Sequence, residues 1–183
     1  MRNQQTIELR VFHPKQIAPT ARKNRVVEGF VRDVVSHSSP ADLWMRFFGN
    51  PNVEAIPGRI TGSIPDTYEQ PRDTVIVAFE NRRPVGYTDI SHLSGQPATA
   101  EIAMLVRTDR QRRGIGKALM QAAVRELRAE GIKQLEAYIH PENSKMKRAL
   151  QKWSRTEELQ DVTFRRTIQQ GEVVYLIELE AKQ

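Results

Sequence analysis

The sequence holds no cysteine, which excludes disulfides, thiolate nucleophiles and cysteine-based zinc sites. Its four histidines, His13, His37, His92 and His140, are scattered without the spacing of a metal-binding motif, so no metal is expected. Aromatic residues are few: two Trp, four Tyr and six Phe, mostly inside apolar patterns. That is little material for the stacking platforms of a nucleic-acid surface, and no nucleic-acid partner is expected despite the formal charge of +6. No apolar run approaches the length of a membrane span, and the first residues are too polar for a secretory signal. A cytoplasmic protein without membrane contact is the expectation.

Acidic residues are scarce in one particular place. From Arg107 to Lys117 five residues are basic (Arg107, Arg110, Arg112, Arg113 and Lys117) and only Asp109 is acidic. This segment follows an apolar stretch of strand character, Glu101 to Val106, and carries Gly114 and Gly116. Behind it comes a helical pattern with Ile115, Leu119, Ala123 and Leu127 on one face. A strand that feeds a glycine-bearing turn at a helix start presents unpaired backbone N–H groups, which bind phosphate well. The basic side chains add to the helix dipole at the same spot. These residues point to a pyrophosphate site.

With 183 residues and 39% hydrophobic content the chain builds one domain, spanning residues 1–183. Residues 7–12 alternate as a first strand. Two helices follow between Asn24 and Phe48, separated at 38–42, with Ser39-Pro40 as cap and first position. Residues 49–72 carry Gly49, Gly58, Gly62, Pro51, Pro57, Pro65 and Pro71 and read as a long connection. Strand character covers 73–80, 85–90 and 99–107, with a turn at Asn81 to Pro84. A helix at 114–130 ends at Gly131. A strand at 135–140, a helix from Pro141-Glu142 to about Lys152, and strands at 162–169 and 173–180 joined at Gln170-Gly171 complete the chain. The order fits a mixed sheet with helices on both faces.

The turn lacks the first glycine of a dinucleotide fingerprint, follows at least three strands, and has no Gly-Lys-Ser/Thr ending for a nucleotide triphosphate. Gln111, Gly114 and Gly116, with the strand before and the helix after, instead resemble the pyrophosphate motif of the GNAT N-acyltransferases. The likeness covers about 73–180 well, with the cofactor core at about 99–152. It implies a single GNAT domain: a mixed, mostly antiparallel twisted sheet of six to seven strands with helices on both faces. A narrower resemblance is to the Pat-type protein lysine acetyltransferases. It rests on Arg46-Phe47-Phe48, on Ala100-Glu101, and on Glu142-Asn143-Ser144-Lys145-Met146.

The resemblance implies acetyl-CoA as cofactor, with CoA as product, and N-acetylation by direct attack of a primary amine in a ternary complex. The ε-amine of a protein lysine is the first choice of acceptor. A small amine or a protein N-terminus is the second, and a non-catalytic CoA-binding sensor or interaction module the third. It assigns the general base to Glu101. Met104, Leu105, Val106, Gln111, Arg112, Arg113, Gly114, Ile115, Gly116, Lys117, Asn143 and Met146 are implied at the cofactor. Many GNAT members carry a general-acid Tyr seven residues after the Asn, where this chain has Leu150.

Residue chemistry bears on these roles. Glu101 starts an otherwise apolar strand, where partial burial raises a carboxylate pKa toward the working range of a base. Asp89 and Glu136 are the alternatives. Asn143 suits either a pantetheine amide or a cap on its own helix. His140 suits a proton relay or a structural role. Met146, Leu150 and Trp153 share a helical face that reads as core, with Met146 facing the acyl arm. Strand 103–106 frees backbone groups for the cofactor if 135–140 splays from it, with a β-bulge as the expected device. Oligomeric state stays open between monomer and homodimer, strands 162–180 being the candidate edge.

Overall fold

Seven strands of alternating or continuously apolar residues join into one sheet in the computed structural model, which describes residues 6–16, 22–48, 51–62, 72–159, 161–169 and 172–179. The strands are β1 (Ile7–Phe12), β2 (Thr74–Glu80), β3 (Arg83–His92), β4 (Thr99–Val106), β5 (Gln134–Tyr138), β6 (Val162–Gln169) and β7 (Glu172–Leu179). Their order is β1-β2-β3-β4-β5-β7-β6, antiparallel throughout except for the parallel pair β4–β5. Helices α1 (Arg22–Ser36), α2 (Pro40–Phe47), α3 (Ile56–Thr61), α4 (Ile115–Ala129) and α5 (Ser144–Trp153) cover it. This is a single α/β domain of GNAT fold, with helices on both faces.

Period-two alternation sorts the side chains of the central strands into two cores. Val75, Val77, Phe79, Tyr87 and Leu105 face one way, against Val27, Val31 and Val34 of α1, Leu43 of α2 and Ile56 and Ile60 of α3. Ile76, Ala78, Ile90 and Ile102 face the other way, against Ile115, Leu119, Ala123 and Leu127 of α4. The stripe read from the sequence is therefore the buried face of α4.

Local signals place most boundaries. Ser39 caps α2 by accepting from Asp42 N, and Pro40 is its first residue. Asn81 and Arg82, at φ 51° and 64°, form a tight two-residue hairpin turn, so β3 begins two residues earlier than the hydrophobic pattern indicated. Gly131, at φ 80°, follows the end of α4.

Two expectations are corrected. The connection 49–72 contains α3, whose six residues are too few to show periodicity; Pro57 fits its first turn and Gly62, at φ 71°, closes it. Residues 49–50 and 63–71 lie outside the described residues, as does the Gln170-Gly171 turn. The helix expected from Pro141 starts at Ser144, because Asn143 Oδ1 accepts from Met146 N at 3.0 Å and so sets the first turn. Among the described residues no helix is long and apolar enough to cross a membrane.

Candidate active site

The parallel pair β4–β5 lasts only from Thr99↔Gln134 to Glu101↔Glu136. Beyond Glu101 the two strands part, so alternate residues of β4 turn main-chain groups toward the gap. No bulge produces this. The β3–β4 register runs unbroken from Gly86↔Val106 to His92↔Ala100, and the register shift in this part of the sheet lies between Ala78 and Phe79 of β2. The splay expected of β5, which ends at Tyr138, is thus present without the bulge expected beside it. The gap opens into a cleft of about 2120 Å³. Glu101 and all twelve residues expected at the cofactor line this one cleft.

At one end of the cleft lies the turn into α4. Arg112 and Gly114 have φ of 62° and 85°, and Gly114 caps α4 without any side-chain hydrogen bond. The amides of Ile115 and Gly116 open the first helical turn, where no earlier helical carbonyl stands to accept from them. These features suit a diphosphate.

The two glycines serve different ends. Gly114 is required by its backbone angle, since a Cβ there would meet nothing within 4 Å. A Cβ on Gly116 would stand 3.4 Å from the Trp153 ring, so this glycine also admits α5 against α4.

The basic cluster is smaller than its sequence suggests. Arg107 is buried, bound to Asp109 at 3.1 Å and Asp33 at 3.4 Å, and belongs to the fold. Arg110 pairs with Glu80 at 3.0 Å, and Arg113 approaches the same carboxylate at 3.7 Å. Arg112 is exposed.

Met104, Val106 and Met146 are half-buried on the cleft wall, whereas Leu105 and Ile115 are buried in the cores and can offer a ligand little beyond main chain. Gln111 Nε2 donates to Asp42 Oδ2 at 3.0 Å and to Val106 O at 3.3 Å. Asn143 spends its carbonyl oxygen on the cap of α5. Leu150 is buried in the core and does not line the cleft.

The wall around Glu101 is assembled from distant segments. Glu101 is half-buried and opposite Ser91 of β3. Asp89 cannot compete with it as a base. It is 2% exposed and bound by Arg46 at 2.6 Å and Arg72 at 3.2 Å. Burial opposes the Arg46 charge, but Asp89, and more weakly Glu101, more than offset it and keep the guanidinium ionised. Burial also pushes the Tyr87 hydroxyl far up, and that oxygen has no hydrogen-bond partner. Glu136 is buried and accepts from the Tyr138 hydroxyl at 3.3 Å. His140 Nδ1 accepts from Glu142 N at 3.2 Å, and its ring is tilted against those of both Trp44 and Phe48.

The family model described as Acetyltransferase (GNAT) family matches residues 41–154, well over half of the chain. The chain belongs to the GNAT family. Solved structures share its fold at low identity. The GNAT domain of S. lividans PAT is 20% identical with a TM-score of 0.64, covering 93% of this chain and 89% of that one. A GNAT-family protein of Desulfovibrio desulfuricans is 15% identical at 0.65, covering 96% and 100%. Diaminobutyrate acetyltransferase of Paenibacillus lautus, solved with its substrate and coenzyme A, is 17% identical at 0.59, covering 94% and 96%. No curated protein sequence matches significantly.

Within this GNAT domain several cleft residues gave no functional signal in the sequence. Asp42, Arg59, Arg72 and Tyr138 stand far apart in the chain, and only the fold brings them to one cleft. The Ser39-x-x-Asp42 spacing signals a helix start but nothing of the contacts across the cleft.

Proposed function

We propose that the chain is an acetyl-CoA-dependent N-acetyltransferase in which Glu101 is the general base, and that its acceptor is the ε-amine of a protein lysine. The observation that carries this is the split between β4 and β5. It begins at Glu101 and leads, within one cleft, to the uncapped amides of α4. Bound acetyl-CoA supplies an acyl group activated as a thioester. The amides of Ile115 and Gly116, with Arg112, hold its diphosphate. Met104 to Val106 direct main-chain groups at the arm, and Met146 borders it from α5.

A lysine amine has an ordinary pKa of ~10.4, so freeing it at neutral pH costs roughly 4–5 kcal/mol without help. The Glu101 carboxylate takes that proton, directly or through water, as the amine attacks. Leu150 lies in the core, so the helix α5 offers no acid there. A Pat-like role fits this departure, because that group does not depend on the tyrosine.

A small amine that carries a carboxylate is the second reading. It is favoured by Arg59, which lines the same cleft, and by Arg46 and Arg72, whose two charges there share the single carboxylate of Asp89. Labelled acetyl-CoA and a cell extract separate the two. Labelled protein lysines support the first and labelled small amines the second, while CoA binding without any labelling points to a sensor. Glu101→Gln should leave CoA affinity intact and lower kcat by roughly 10²–10⁴. An unchanged kcat removes the assigned role.

A further inference from the structure

One carboxylate outside that chemistry gathers contacts from three parts of the chain. Asp42 stands in the first turn of α2 with its side chain 10% exposed. Its Oδ2 accepts from Thr108 Oγ1 at 2.6 Å, from Ser39 Oγ at 2.9 Å and from Gln111 Nε2 at 3.0 Å. Its Oδ1 accepts from Lys145 Nζ at 3.0 Å, and Lys145 also approaches Gln111 Oε1 at 3.4 Å. Thr108 and Gln111 belong to the turn between β4 and α4, while Lys145 opens α5 beyond β5. The donors therefore sit on both lips of the split.

Helix capping does not account for this arrangement. The cap is complete once Ser39 Oγ accepts from Asp42 N. Thr108, Gln111 and Lys145 are 66, 69 and 103 residues away from Asp42. Hydrogen bonds to a charged acceptor are roughly twice as strong as neutral ones, so one carboxylate can hold all three. Ser39 N donates to Thr108 Oγ1 at 2.7 Å, doubling the link between α2 and the turn. Further along, Arg46 binds Asp89, and the Trp44 and Phe48 rings stand 5.6 Å and 5.7 Å from that of His140. So α2 spans the mouth of the split, and Asp42 is its tie to the phosphate-binding end.

We infer that Asp42 is a positioning residue: it sets the turn that holds the cofactor's diphosphate and, through Lys145, clasps the opposite lip of the cleft. This rests on the cofactor reading above. Asp42 touches no reacting atom, so its effect falls on cofactor affinity and not on the acyl-transfer step.

The test compares Asp42→Asn, Asp42→Glu and Lys145→Met with the parent chain. CoA affinity is measured by calorimetry, and amide exchange at Arg110 to Gly114 is followed without ligand. Asp42→Asn keeps the shape and removes the charge. It should weaken CoA about tenfold, the scale of a lost hydrogen bond to a charged group. It should also speed exchange in the turn and leave kcat at saturating cofactor near the parent value, and Asp42→Glu should recover part of the affinity. Lys145→Met, on a side chain 66% exposed, should weaken CoA about threefold in the parent and not at all beside Asp42→Asn. Unchanged affinity and exchange in Asp42→Asn overturn the inference, as do effects of the two substitutions that simply multiply. If even the parent chain fails to bind CoA while exchange still rises in Asp42→Asn, the cofactor reading fails and the hold of Asp42 on the turn stands.

Discussion

The two ends of the cleft are built by opposite strategies. The end proposed for the cofactor is nearly contiguous, with main-chain groups between Gln111 and Lys117 and a glycine at φ 85°. The end proposed for the acceptor draws Arg46 from α2, Arg72 from ahead of β2, Glu101 from β4 and Tyr138 from β5, with Asp89 of β3 bound to both arginines. Recognition by backbone demands a local conformation, which a short motif can encode. Recognition by side chains demands convergence, which only packing can deliver. The contrast predicts that substitutions at the cofactor end shift affinity for CoA, whereas those at the acceptor end shift stability or turnover.

The strongest stability test of that contrast is Asp89→Asn. It leaves two poorly exposed guanidinium groups without their shared carboxylate, and breaking such a buried pair costs about 3–5 kcal/mol. A urea unfolding curve should show the loss, with CoA affinity retained by the folded fraction. Leu150→Tyr comes next. Because Leu150 is 1% exposed in the core, the larger ring overpacks it by about 1–3 kcal/mol, and kcat should not rise. A rate gain would mean that α5 can turn that position into the cleft.

Gly114→Ala probes the other end. No atom obstructs the new methyl group, so the cost is the left-handed backbone, about 1–2 kcal/mol, read as weaker CoA binding with kcat unchanged. The smallest effect is one of pH. Burial raises the Asp42 pKa, but hydrogen bonds from Thr108, Lys145 and Ser39 outweigh that and hold the carboxyl below its usual range. A depressed carboxyl contributes stability in full above its unfolded value of about 4, and the contribution is lost as pH falls through the folded value. The stability gap between the parent and Asp42→Asn should therefore narrow as pH falls below about 4.

Much of the fold could be read in advance, because its elements carry strong local signals. The Ser39-Pro40 start of α2 and the Gly131 end of α4 each follow from backbone preferences of those residues, whereas the hairpin is tighter than the turn read over Asn81 to Pro84 because Arg82 adopts φ 64°. The helix α3 was hidden because Pro57, Gly58 and Gly62 look like loop residues, yet a short helix accepts Pro in its first turn and Gly at its end. At the site, Gln111, Gly114 and Gly116 were legible as a motif. That Arg107 is a buried structural cation was not, since Asp33, one of its partners, lies 74 residues away. The freeing of β4 by a splaying neighbour was expected and is found, whereas the β-bulge expected to aim one of its amides is absent from the β3–β4 register.

By itself the sequence determined the order of the strands and of every helix but α3, the buried face of α4, and a glycine-bearing turn fit for phosphate. Those depend on periodicity and on backbone angles, which neighbouring residues fix. Tertiary structure alone decided which charges remain available and which are consumed. In the chain Asp89 reads as an alternative base, Arg107 as one of a basic cluster and Asp42 as a residue of a helix start, yet each is defined by partners far away in sequence. Their electrostatics exist only once the sheet and α2 have brought those partners within hydrogen-bonding distance.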